Sequence, residues 1–513
     1  MHQALRIDEI LQLIFDFCSD LPDTRPRWTY AQLARCCKTW TDPALDRLWR
    51  RMDGLGPLLA LLPTMDDEPT VDVTPSFEAA AKRVRQILHT KSSTPSFRLP
   101  DGYGPNVFPN LEAATLSHSG CLIPHIWRTS ERIQRVSVSL SFSRKETDAH
   151  IIAWNDAVAR YLEKLRVCAP HFHCLQVRGS ISDSLNATVA SLSQLRSLTI
   201  QSSRFLTSNT LAAIATFPAL RMLEVHADHI RGEEFEDCLS SLHPDDADAM
   251  SFPALEELTI RTSGLLLTVL LTRLPVGVMK KLHLDMVMDA HPRTDMKSVL
   301  ELLAQKAAGS LRDLLLDDRT ERDSLAAVAD PNANAEDATS DAHSQRGYTL
   351  DDLAPLARVR QLRSFVLKDA DLVDGDLEVL ARWWPELERL ELGANEDVCL
   401  SDHEHEHDEG TSQHGCKTRL SPAAYALVAR SFRLLESLSL SAPPPRALEV
   451  TTFVAQVTSL AVGDARAMPG YTADAAPAVV DALLAIFPAL KRLDSPDTEV
   501  IERFETALAD SRT

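Results

Sequence analysis

Glycine is scarce, 17 among 513 residues, and aromatic residues make up only 6%. The chain has no glycine-rich phosphate loop, no Gly-x-Ser-x-Gly turn and no convincing pair of catalytic carboxylates. It therefore offers no frame for nucleotide, acyl-transfer or acid–base chemistry, and a non-enzyme without cofactor or resident metal is expected. The most apolar stretches, 55–62 and 265–271, fall well short of the roughly 20 residues that cross a bilayer. Asp8 and Glu9 stand where a secretory signal would need an apolar core. A basic stripe with interleaved aromatics is also missing, which disfavours nucleic acid as a partner. The nine cysteines are odd in number and show no Cys-x-x-Cys spacing. That suits reduced thiols buried among apolar neighbours better than a disulfide framework. These absences lead to the expectation of a soluble protein of the cytoplasm or nucleus with no membrane partner.

What is present is a large supply of core-forming residues, 44% hydrophobic against 25% charged. A chain of 513 residues forms several domains or one elongated array. The net charge of −20 is concentrated: residues 317–345 carry eight acids and two bases (−6), and residues 396–409 carry seven acids and no base (−7). The rest of the chain is only mildly acidic.

The phrase Phe-Pro-Asn-Leu at 108–111 returns as Phe-Pro-Ala-Leu at 217, 252 and 487 and as Trp-Pro-Glu-Leu at 384. Reduced to apolar-x-x-apolar-x-apolar, the frame recurs from thirteen first positions: Leu111, Ile133, Phe172, Leu195, Leu220, Leu255, Met279, Leu311, Leu362, Leu387, Leu435, Val457 and Leu490. Its last two apolar places alternate with a polar residue, so both point to one face of a short strand. Between copies lie stretches with helical spacing, such as 208–217 and 375–384. A strand plus a helix cannot bury its own apolar face, whereas stacked units can. The pattern resembles the leucine-rich repeat family over about residues 106–495, although several copies lack the Asn or Cys after the strand and several spacings are long. The resemblance implies an α/β repeat solenoid, an irregular leucine-rich repeat horseshoe.

Ahead of the repeats, Ile7, Ile10, Leu11, Ile14, Phe15 and Cys18 form a helical stripe that Asp8 can start. Leu33, Cys36, Cys37, Trp40, Leu45, Leu48 and Trp49 follow, with Pro43 expected to break them into two short helices. The two segments resemble an F-box, the adaptor-binding motif of cullin-based ubiquitin ligases. Leu5, Glu9, Ile10, Leu11, Ile14 and Phe15 match the first part of that motif; Cys37, Lys38, Trp40, Leu48 and Trp49 match the second. Arg6 replaces the usual Pro, and 21–30 looks like an insertion. With the repeats, the chain is similar to the F-box and leucine-rich repeat proteins of mushroom-forming fungi. The resemblance implies a small all-α module that binds a Skp-family adaptor and, through it, a cullin. Leu5, Ile7, Ile10, Leu11, Ile14, Phe15, Cys37, Trp40, Leu48 and Trp49 would form the contact.

The expected layout is a helical module at 1–52, a connector at 53–105 with an amphipathic helix over 76–90, the array at 106–495, and a helix or tail at 496–513. Segments 318–349 and 396–416 are too polar and acidic to offset the entropy of ordering and read as disordered loops. The second contains His403, Glu404 and His407 in a formal His-Glu-x-x-His match. Almost no apolar residue is near to anchor the packed helix a zinc hydrolase needs, so a solvated acidic loop is expected and the hydrolase is the remote alternative. The implied function is substrate recognition for a cullin ubiquitin ligase; the alternative is a repeat scaffold unrelated to ubiquitin. An unknown protein substrate would meet the strand-lined face, for which Glu224, His226, Thr259, Arg261, His283 and Asp285 are the candidates.

Overall fold

The structure, a computed structural model, describes residues 7–20, 26–62, 74–88, 107–117, 130–140, 148–202, 206–242, 250–288, 296–320, 347–368, 370–393, 419–445, 456–462, 475–495 and 498–510. The chain divides into two compact units, Met1–His226 and Ala227–Thr513.

The first unit begins with α1 (Asp8–Asp20), α2 (Pro26–Cys36) and α3 (Lys38–Arg50). The helical break falls at Cys37, in extended conformation, and not at Pro43, which lies inside α3. The Thr41 hydroxyl explains the position of the break, since it donates to the carbonyls of Ala34 (2.9 Å) and Cys37 (3.1 Å). The supposed insertion is helical from Pro26 onward, and Tyr30 belongs to the module's core.

β1 (Arg51–Met52) follows at once, then α4 (Gly56–Leu59), α5 (Pro75–Ala81) and β2 (Gln86–Leu88). The helix expected over 76–90 therefore stops at Ala81. Thr74 caps its start by accepting from Phe77 N, and the chain then turns so that Val84 and Ile87 enter the core as a shortened repeat frame. The unit continues through β3 (Ala113–Ser117), β4 (Arg135–Ser139), α6 (Asp148–Cys168), β5 (Cys174–Arg178), α7 (Asp183–Ala190), β6 (Ser197–Gln201), α8 (Ser208–Ala215) and β7 (Met222–His226). From β1 to β7 each strand pairs parallel with the next in sequence order.

The second unit holds α9 (Gly232–Leu242), β8 (Glu257–Thr262), α10 (Gly264–Arg273), β9 (Lys281–Met288), α11 (Met296–Ala307) and β10 (Asp313–Thr320). Next come α12 (Leu350–Leu353), β11 (Ser364–Lys368), α13 (Asp374–Trp383), β12 (Arg389–Gly393), α14 (Ala423–Ser431) and β13 (Ser437–Leu440). β14 (Ser459–Val462), α15 (Ala476–Ile486), β15 (Arg492–Asp494) and α16 (Thr498–Asp510) complete it. From β8 to β15 the pairing is again parallel and sequential. Both units are α/β repeat solenoids of the leucine-rich type, and every one of the thirteen frames coincides with one strand, β3 to β15.

The motif has a local cause. Its aromatic residue is buried in all five copies (Phe108, Phe217, Phe252, Trp384, Phe487), and Pro follows to open a turn. That turn closes from the frame's first apolar residue back to the aromatic carbonyl, as Leu111 N to Phe108 O (3.1 Å) and Leu490 N to Phe487 O (3.1 Å). Copies without the aromatic make the same turn, Leu195 N to Leu192 O among them (3.1 Å). The next two amides then reach the preceding strand: Arg196 N (2.8 Å) and Ser197 N (3.0 Å) both donate to His173 O. The inward pair of each strand is sealed, Leu198 and Ile200 both at 0% exposure. Each such side chain contributes about 1.5–3 kcal/mol relative to exposure. The last frame differs: a buried Ser495 occupies its final apolar place.

Two places beyond the last apolar residue, one short of where standard repeats carry Asn or Cys, small residues pack: Ser202, Ala227, Thr262 and Ala442 are all at 0% exposure. At Gly179 (φ +116°) the place is tightest, for a Cβ would lie 2.3 Å from the Leu140 carbonyl oxygen. Both ends of the loop expected over 318–349 are ordered: residues 318–320 extend β10 along β9, Tyr348 bridges Ala370, and Thr349 caps α12. The remainder of that loop at 321–346, and the His-rich segment with His403, Glu404, His407, His414 and Cys416, lie outside the described residues. None of the six described cysteines forms a disulfide, and none is buried: Cys36 ends α2 and Cys168 ends α6, both exposed. Among the described residues no helix is long and apolar enough to cross a membrane.

Candidate interaction surfaces

The three N-terminal helices have a core of their own. Phe15, Tyr30 and Ala44 form its centre, and Ile14, Cys18, Leu33, Trp40 and Leu48 pack around them. The Phe15 ring meets Tyr30 and Trp40 edge-on, at 6.3 and 6.2 Å between centroids. The Tyr30 hydroxyl donates to the Phe15 carbonyl (2.7 Å), so the buried phenol is satisfied. Arg47 of α3 clips α1 by its bonds to Asp16 (2.8 Å) and Gln12 (2.6 Å).

This core divides the ten adaptor candidates. Phe15 is fully buried in the core, and Ile14, Trp40 and Leu48 are half-buried against it, so these four hold the module together; Leu11 is fully buried outside that cluster. Ile10, Cys37 and Trp49 are half-buried, Ile7 is exposed, and Leu5 lies outside the described residues. The outward apolar side chains are ones the motif comparison missed: Leu13 (59% exposed) and Phe17 (71%) on α1, and Trp28 (65%) on α2. Ile10, Leu13, Ile14 and Phe17 stand at i, i+3, i+4 and i+7, a second stripe beside the buried one.

The substrate candidates fall in both units. In the first, Glu224 and His226 lie on β7 and are half-buried. Glu224 accepts from Gln201 Nε2 (2.6 Å) and Thr199 Oγ1 (3.4 Å) on β6, which fixes its carboxylate. In the second, Thr259 and Arg261 of β8 stand opposite His283 and Asp285 of β9. Arg261 Nε lies 3.9 Å from Asp285 Oδ2 and 4.0 Å from Asp228 Oδ2. Burial works against the Asp228 carboxylate, but hydrogen bonding to His229 and the Arg261 charge outweigh it and hold its pKa below the usual value. On β10, Asp317 stands beside Asp285 and Leu315 beside His283. Further on, Val366 (4% exposed) lies in register with Glu391, whose carboxylate meets Lys368 Nζ at 3.3 Å. This face combines a small apolar centre, Leu315 and Val366, with held charges of both signs. Among the described residues no group of three or more His, Cys, Asp or Glu side chains is arranged to hold a metal ion.

No family model matches the chain. No curated protein matches it in sequence. Among solved structures it is similar to an internalin from Listeria monocytogenes, at 12% identity and a TM-score of 0.28, covering 66% of this chain and 92% of that one. A likeness this slight bears on neither function nor partners.

Proposed function

We propose that this protein recognises substrates for a cullin-based ubiquitin ligase, with α1–α3 docking a Skp-family adaptor and the strand-lined face of the repeats binding a protein substrate. The observation that carries the first half is the outward stripe on a module whose core is already complete. Leu13, Phe17 and Trp28 stand outside that core cluster, and large exposed apolar side chains on a small helical module mark a surface that expects a partner. The F-box resemblance supplies the class of partner. The second half rests on the face of β8–β12, where charged side chains are held by their neighbours around an apolar centre. Recognition energy concentrates in such pre-ordered central residues. We read the chain as a binding protein of the cytoplasm or nucleus.

The test is titration of the full-length chain with purified Skp-family adaptor. Saturable binding that Phe17→Asp weakens at least tenfold, with an unchanged melting temperature, supports the proposal. Absence of binding favours a scaffold with no link to ubiquitin.

A further inference from the structure

In a chain of net charge −20, one cavity of the first unit is lined by five cations. It encloses about 470 Å³, within the range of small-molecule sites. Arg47 and Arg50 come from the last turns of α3, Lys82 and Arg83 from the end of α5, and Arg85 from the residue before β2. Asp46 and Glu112 are its only acids, so the wall nets three positive charges. Every side chain of the wall is charged or an amide, which leaves no footing for an apolar ligand.

Backbone contacts tie these segments together. Arg85 N donates to Arg50 O (2.9 Å), and Asn110 Nδ2 donates to Lys82 O (2.7 Å). Three of the cations are already held: Arg47 by Asp16 and Gln12, Arg83 by Asp42 and Asp46, and Arg85 by Glu112 at 2.8 Å. Arg50 and Lys82 are exposed and make no ion pair among the described residues. The carbonyl end of α3 opposes an anion with roughly half a charge, and the two arginines of its last turns more than offset that. Guanidiniums fixed in place, each with five N–H donors, beside two cations that make no ion pair among the described residues, match the oxygens of closely spaced phosphates.

We propose that this cavity binds a compact polyphosphate anion, a small molecule carrying several adjacent phosphate groups, and that the anion braces α3 against the start of the repeats. The bracing follows from position, because two of the cations belong to α3 and three to the segment that leads into β2. A lone phosphate would engage only part of the wall.

The experiment uses the full-length chain and tripolyphosphate, by calorimetric titration and thermal melting in about 0.15 M salt, where screening suppresses loose surface association beyond about 8 Å. One saturable site with a melting temperature that rises with ligand is expected. Orthophosphate should bind at least tenfold more weakly. Arg50→Ala with Lys82→Ala should weaken tripolyphosphate at least tenfold and leave the ligand-free melting temperature unchanged, and each single change should give part of the loss. Asp46→Asn should tighten binding, since it removes an acid from the wall, while Arg83 stays held by Asp42. Absence of saturable binding, or equal binding by the double variant, would overturn the proposal. Equal affinity for orthophosphate would reduce the cavity to an adventitious ion site and overturn it as well.

Discussion

Trp384 ends one repeat helix and opens the turn into β12, and its replacement tests the packing logic of the array. The side chain is fully buried, with its ring 4.6 Å from Phe365 and its indole Nε1 donating to Leu356 O (3.1 Å). Trp384→Ala removes ring, stacking and hydrogen bond together, at a cost of about 3–5 kcal/mol. At about 2–4 °C per kcal/mol the melting temperature should fall on the order of 10 °C. Trp384→Phe keeps most of the ring. The Leu356 carbonyl retains its bond from Val359 N (2.9 Å), so this change costs only about 1–2 kcal/mol. The neighbouring Trp383 is half-buried, and Trp383→Ala should cost about 1 kcal/mol. Thermal melts followed by far-ultraviolet circular dichroism would rank the three. If Trp383→Ala and Trp384→Ala destabilised equally, or Trp384→Phe cost as much as the alanine, the aromatic of this motif would not be the anchor described here.

Two further outcomes follow from the second unit. The folded-state pKa of Asp228 is lowered, so its contribution is present above the unfolded carboxylate value near about 4 and is lost as pH falls through the folded value. Asp228→Asn should therefore lower the melting temperature at pH 7, with the gap to the parent closing as pH falls below the unfolded carboxylate value; a gap that widened in acid would reverse the assigned sign. Exchanging Arg261 for Asp together with Asp285 for Arg should reduce capture of an identified substrate while the array stays folded, read by pull-down beside a melt. Unchanged capture would move the substrate site away from β8 and β9.

The repeats were legible because two constraints act at once on six residues. Alternation fixes which side chains of β3 to β15 point inward, and the turn from Phe108, Phe217 or Trp384 fixes where each strand starts. β1 and β2 escaped because they carry only fragments of the frame, and the latter sits in an Ala-, Lys- and Arg-rich stretch that reads equally well as helix. The break between α2 and α3 was misplaced for a related reason. Pro43 is the conspicuous residue, but the Thr41 hydroxyl and the extended Cys37 decide the geometry. The outward side chains were hidden by the stronger pattern: the single stripe takes five of the seven apolar residues of α1 and leaves only Leu13 and Phe17 over. Leu13 and Phe17 became visible once Tyr30 and Trp40 were seen to close the core on the opposite side. No periodicity marks the cation-lined cavity, because its residues come from α3, α5 and the strand starts and meet only in the fold.

The account turns on whether the N-terminal helices dock an adaptor, and one paired measurement on the full-length chain tests that. Phe17 is 71% exposed, so Phe17→Asp should leave the melting temperature within about 2 °C, since exposed substitutions cost within about 0.5 kcal/mol. An interface anchor of its size contributes about 2 kcal/mol or more, which is over tenfold in affinity. The predicted result is micromolar or tighter adaptor binding by the parent chain, lost in Phe17→Asp with an unchanged melt. An intact, well-folded parent chain that shows no adaptor binding would contradict the account.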